Sequence, residues 1–170
     1  MVAEGQDAVL RYAEVPVRWP VLRQWLLDST RTLRALRGEL RAEINTVAGR
    51  AEDVDLDDVP EHMALVATEL ATNALEHGAP PTTTRLSSDG AAFLLEISDH
   101  DPASEPQEAG DRTAGDGGFG IRLARLLADE VGWYRTPGEK HVWALFTLPA
   151  ITPPAGSPAV PEVTPAGPSR

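Results

Sequence analysis

At 170 residues and 42% hydrophobic content, the chain has the length of one domain and enough apolar residues for a real core. A net charge of -11 and a pI near 4.7 argue against nucleic acid as a partner, because phosphate binding needs a basic surface. The absence of cysteine excludes a disulfide framework and a thiolate zinc site.

Leu10 to Val15 reads as a short strand closed by Pro16. From about residue 19 to 50 the pattern predicts one long amphipathic helix. Leu26, Leu33, Leu40 and Val47 recur every seven residues, with Leu22, Leu36 and Ile44 alongside, and Pro20 is tolerated in a first turn. Such a stripe serves either to pack on the domain's own sheet or to meet a second subunit in a homodimer. An acidic loop over 51–60 leads into a second helix from about Glu61 to His77. Leu65, Leu70 and Leu75 supply its apolar face, and Gly78 suits a left-handed cap.

Arg85 to Ser88 and Ala91 to Asp99 read as strands around the turn Asp89-Gly90. The second is largely apolar and therefore expected at the centre of a sheet. His100 to Gly117 is polar and rich in glycine and proline, a mobile loop by composition. A helix follows over Ile121 to Glu130, with Ile121, Leu123, Leu126 and Leu127 available for burial. Gly132 to Tyr134 and His141 to Leu148 form a last pair of strands around Pro137-Gly138. Residues 1–149 are thus expected to form one domain, and 150–170, rich in proline, alanine and serine, a disordered tail. Irregular alternation of helices and strands predicts an α+β fold. Its form is a two-layer sandwich, with a mixed, mostly antiparallel sheet covered on one face by helices. No apolar run is long enough to span a bilayer, and the first residues lack a secretion signal, so a cytoplasmic protein without membrane contact is expected.

Three stretches carry side chains suited to chemistry. Glu69, Asn73 and His77 stand at i, i+4 and i+8 and project from one side of the second helix, as a base and a metal ligand or as a solvated polar stripe. Gly115 to Gly120 run straight into a helix, where close backbone approach and unpaired N–H groups suit a phosphate. No Gly-Lys-Ser/Thr follows, so this is not a Walker loop. Ser98-Asp99 ends the apolar strand, where a carboxylate either accepts from an exocyclic amine or starts a turn before Pro102. Near the last turn, Lys140 reads as a solvated hairpin lysine, with reach to a phosphate as the alternative.

In this order, Glu-x-x-x-Asn helix, strand ending in Ser-Asp, flexible loop and Gly-x-Gly helix, the chain resembles the ATP-binding domain shared by gyrase, histidine kinases and MutL (the GHKL or Bergerat fold). Thr68 to Gly78 look most like the motif of the short stand-alone serine/threonine kinases of anti-sigma-factor type, and the resemblance spans about residues 22–149. It implies Glu69 as general base and Asn73 as the ligand of Mg²⁺. It further implies Asp99 as reader of the adenine amine, with Gly118, Gly120 and Ile121 lining the phosphates beneath a lid. It implies Mg-ATP as cofactor and a protein partner, an anti-sigma antagonist, a sigma factor or both. Where the family often has Asp-x-Gly-x-Gly, this chain has Asp99-His100-Asp101-Pro102-Ala103, which leaves the aspartate and removes the glycines. Glu69 favours a kinase; the lost glycines favour an ATP-dependent binding module with weak catalysis. A histidine kinase fits poorly, since no histidine precedes His62.

Overall fold

The computed structural model describes residues 10–48, 58–106 and 119–148. The elements are β1 (Val21–Leu27), α1 (Thr30–Ala48), α2 (Val59–His77), β2 (Thr82–Ser88), β3 (Ala92–Asp99), α3 (Phe119–Leu127), β4 (Glu130–Arg135) and β5 (Lys140–Thr147). The strands form one sheet in the order β1-β2-β3-β5-β4, every neighbouring pair antiparallel. The helices cover one face, so the expected α+β sandwich is the observed one. The tail past residue 149, residues 51–57 of the acidic loop and Gly118 lie outside the described residues, the loop after Asp99 is described only as far as residue 106, and Val59 and Pro60, expected in the acidic loop, open α2 instead.

The long helix expected from about residue 19 is a strand and a shorter helix. Leu26 matches the seven-residue repeat, and Leu22 the stripe beside it, by coincidence: both lie on β1, and Leu26 is 65% exposed. The buried residues of that strand are Trp25 and Leu27, spaced by two as a half-buried strand requires. The break is set by a reciprocal cap. The Ser29 backbone N–H donates to Thr32 Oγ1 at 3.1 Å, and the Thr32 N–H points back to Ser29 Oγ at 3.5 Å. From there Leu33, Leu36, Leu40 and Ile44 do face the core. The strand expected at Leu10 to Val15 shrinks to one parallel bridge, Tyr12 to Trp133, on the outer edge of β4.

Register decides which side chains share the helix-covered face. Phe93, Leu95 and Ile97 point there from β3, opposite Phe146, Ala144 and Val142 of β5. Asp99 and Lys140 are the last pair of the same ladder and therefore project to the same face. The alternate residues form the back face, where Leu94, Tyr134 and Trp143 are buried under Ala13, Val15 and Trp19. The segment from Leu10 to Pro20 thus straps the back of the sheet. The Trp143 indole donates to the Ala13 carbonyl at 2.8 Å, and the Ser88 N–H reaches the Pro20 carbonyl at 3.3 Å.

Under the strap sits a buried carboxylate. Glu96 accepts a hydrogen bond from the Tyr134 hydroxyl at 2.7 Å. His141 Nδ1 lies 2.8 Å from the same oxygen but is not aligned for a hydrogen bond, and its ring stacks on that of Tyr134. Burial works against the Glu96 charge, yet the contacts with His141 and Tyr134 and the nearby Arg85 prevail, so its pKa is held below the ordinary 4.5. Burial and the same carboxylate push the Tyr134 phenol up. A carboxyl with a lowered folded pKa contributes stability that is complete above 4.5 and lost as pH falls through the lower folded value. Urea melts at neutral and acid pH should therefore show acid destabilisation that Glu96→Gln flattens. An unchanged acid slope in the mutant would remove Glu96 as its source.

Candidate functional site

Helix α2 starts with Pro60 in its first turn, where the missing N–H costs nothing, and with Glu61 at its positive end. Its buried stripe is Met63, Ala64, Val66, Ala67, Leu70, Ala71 and Ala74. Leu65, expected inside, is 39% exposed. Four alanines let α2 lie close to its neighbours, and a larger side chain at any of them would hold the helix off. Next to this stripe, Glu69 and Asn73 are half-buried one turn apart, while His77 stands at the exposed C-terminal turn beside Glu76.

The start of α3 seats directly on this pair. A Cβ at Gly120 would lie 2.9 Å from Asn73 Nδ2, 3.0 Å from Glu69 Cβ and 3.1 Å from the Glu69 carbonyl carbon. Only glycine lets the α3 backbone come this near without displacing α2. Among the described residues, no hydrogen-bond partner is present for the Glu69 carboxylate or the Asn73 carboxamide. The start of α3 favours negative charge, whereas the Glu69 carboxylate beside it suits a cation or a proton donor, so the two together suit an anionic ligand that brings a cation or a hydroxyl with it. Ile121, by contrast, is 3% exposed and belongs to the hydrophobic core, so its side chain anchors α3. Leu126, expected inside, is 78% exposed.

Asp99 lies beside Gly78, at the C-terminal end of α2. It is 2% exposed at the end of the central strand and packs against the chain leaving α2. Gly78 is not in the left-handed region: φ is -94° and ψ is -173°, open to any residue. Its role is steric. A Cβ there would sit 2.4 Å from Asp99 Cγ and 2.5 Å from the Ala74 carbonyl oxygen. The Asp101 N–H donates to Asp99 Oδ1 at 2.9 Å, so the loop that lacks the glycines still holds the carboxylate from its own backbone.

The solvated hairpin lysine is also corrected. Lys140 is 7% exposed, its ammonium 3.3 Å from Asp99 Oδ2 and donating to Ser104 Oγ at 2.7 Å. Lysine is rarely buried this far unless paired. Sequence reasoning missed the pairing because β3 and β5 are not consecutive, and nothing local sets their register.

The single antiparallel sheet and its one-sided helix layer define a two-layer α+β sandwich, with Asp99 at the end of its central strand. Sequence comparison identifies the family within that class: residues 28–146 match the histidine kinase-like ATPase domain, and the chain belongs to it. Comparison with curated proteins finds no match. Family membership implies ATP binding. No helix among the described residues is long and apolar enough to cross a membrane.

Proposed function

We propose that this chain is a regulatory serine/threonine kinase of anti-sigma-factor type, which uses Mg-ATP to phosphorylate a protein antagonist. The observation that carries the reading is the pair Glu69 and Asn73, one turn apart under the Gly120 start of α3. In it, Glu69 is the general base that orients the attacking hydroxyl and accepts its proton. Asn73 would hold Mg²⁺ through its amide oxygen, since this ion keeps most of its waters and needs few protein ligands. Bound there, the ion would neutralise phosphate charge. Asp99 takes the adenine amine, and the α3 N-terminus with Gly120 faces the phosphates. The partner is a protein, an anti-sigma antagonist or a sigma factor, and the setting is the cytoplasm.

Calorimetry with and without Mg²⁺ tests the nucleotide part. Asn73→Ala should weaken Mg-dependent ATP binding by at least roughly tenfold, the loss seen when groups that merely support a metal ligand are removed. Equal affinities would take the metal away from Asn73. Capture of partners from native extract with and without ATP, followed by transfer of labelled γ-phosphate to what is captured, tests the kinase part. A protein whose capture depends on nucleotide and which becomes labelled on serine or threonine is the expected result. ATP binding with no label on any captured protein would leave the binding-module reading, and no ATP binding would end both.

A further inference from the structure

The buried lysine beside Asp99 has no part in the function proposed above. Asp99 and Lys140 are register partners on adjacent strands and emerge on the helix-covered face. The ammonium has three N–H donors. One is on Ser104 Oγ at 2.7 Å and a second is directed by proximity to Asp99 Oδ2 at 3.3 Å. The carboxylate has about four acceptor positions. The Asp101 N–H takes one and Lys140 another. Each partner therefore keeps unused capacity: an acceptor on Asp99 and a donor on Lys140, side by side. Ser104 and the backbone of Asp101 hold the two in place. Further contacts hold Ser104 and Asp101 themselves: the Ser104 side chain keeps the Asp101 carboxyl below its usual range.

We propose that Lys140 is a specificity-determining residue that reads ring N1 of the base while Asp99 takes the 6-amino group, an inference that rests on the ATP reading of this site. Adenine presents a donor at position 6 and an acceptor at N1, the complement of a carboxylate next to an ammonium. A 6-oxo purine placed the same way presents an acceptor to Asp99 and an N–H to Lys140, so both contacts become repulsive. A site that leaves buried polar groups unpaired with the wrong ligand discriminates far more strongly than an apolar pocket. Asp99 alone would read only the amine. With Lys140 the site reads two adjacent positions.

The test is equilibrium binding of ATP and 1-deaza-ATP, in which C–H replaces ring N1, to the full chain with Mg²⁺. Wild type should bind 1-deaza-ATP at least roughly tenfold more weakly than ATP, the loss expected when one hydrogen bond from a charged donor is removed. Lys140→Met should bind ATP more weakly by a similar factor and no longer distinguish the two nucleotides. Equal affinities of wild type for both ligands, a measurement that needs no variant, would overturn the assignment. So would a Lys140→Met protein that still prefers ATP. Failure of wild type to bind either nucleotide would instead overturn the ATP reading, and this inference with it.

Discussion

Glu69→Gln should slow phosphate transfer by roughly 10²- to 10⁴-fold while leaving ATP binding within a few-fold of wild type. Glutamine keeps the size and the stem of the side chain, and the stem is what Gly120 packs against, with Glu69 Cβ 3.0 Å from where a Gly120 Cβ would stand. The substitution removes the capacity to take a proton, together with the negative charge. A positioned general base contributes roughly 10²- to 10⁴-fold, so the residual rate should fall by that factor. The metal and base contacts assigned to Asn73 and Asp99 are untouched, so calorimetry with Mg-ATP should see little change. The two readouts separate the competing readings. Loss of transfer with binding kept is the kinase result. Unchanged transfer would strip Glu69 of its role as base.

The residues proposed for chemistry were more legible in the sequence than the scaffold that holds them. Glu69 and Asn73 fall on one helix, where spacing alone fixes their common side, and Asp99 falls at the end of an apolar run that had to be a central strand. Both are local facts. Lys140 depends on how β5 pairs with β3, two strands separated in the chain by α3 and β4, and no local pattern carries that register. The break between β1 and α1 was hidden by the leucine repeat. Its true signal was Asp28-Ser29 with Thr32, a cap inside what looked like one helix. The strap over the back face was unreadable for another reason. Extended segments such as Leu10 to Pro20 have no period of their own, and their place is set by Trp143, Tyr134 and Leu94 waiting on the far side of the sheet.

Gly78→Ala should damage both stability and nucleotide affinity, although nothing in the backbone dihedrals at Gly78 forbids alanine. The new methyl would stand 2.4 Å from Asp99 Cγ, 2.7 Å from Asp99 Oδ2 and 2.5 Å from the Ala74 carbonyl oxygen. The last is helix backbone, already accepting the Gly78 N–H at 3.0 Å. Asp99 has no slack either, being tied to the Asp101 N–H and to Lys140. Overpacking of this kind costs about 1–3 kcal/mol. It can be relieved only by moving the end of α2 or the carboxylate, so the loss of ATP affinity should accompany the loss of stability. Gly38→Ala supplies the contrast. It lies within α1 with nothing inside 4 Å of its added methyl, and alanine there should stabilise by roughly 0.5–1 kcal/mol through helix propensity. Urea melts of the two variants should move in opposite directions, and only Gly78→Ala should weaken ATP binding. A Gly78→Ala protein with wild-type affinity would mean that the contact between the α2 exit and Asp99 does not position the carboxylate for the base.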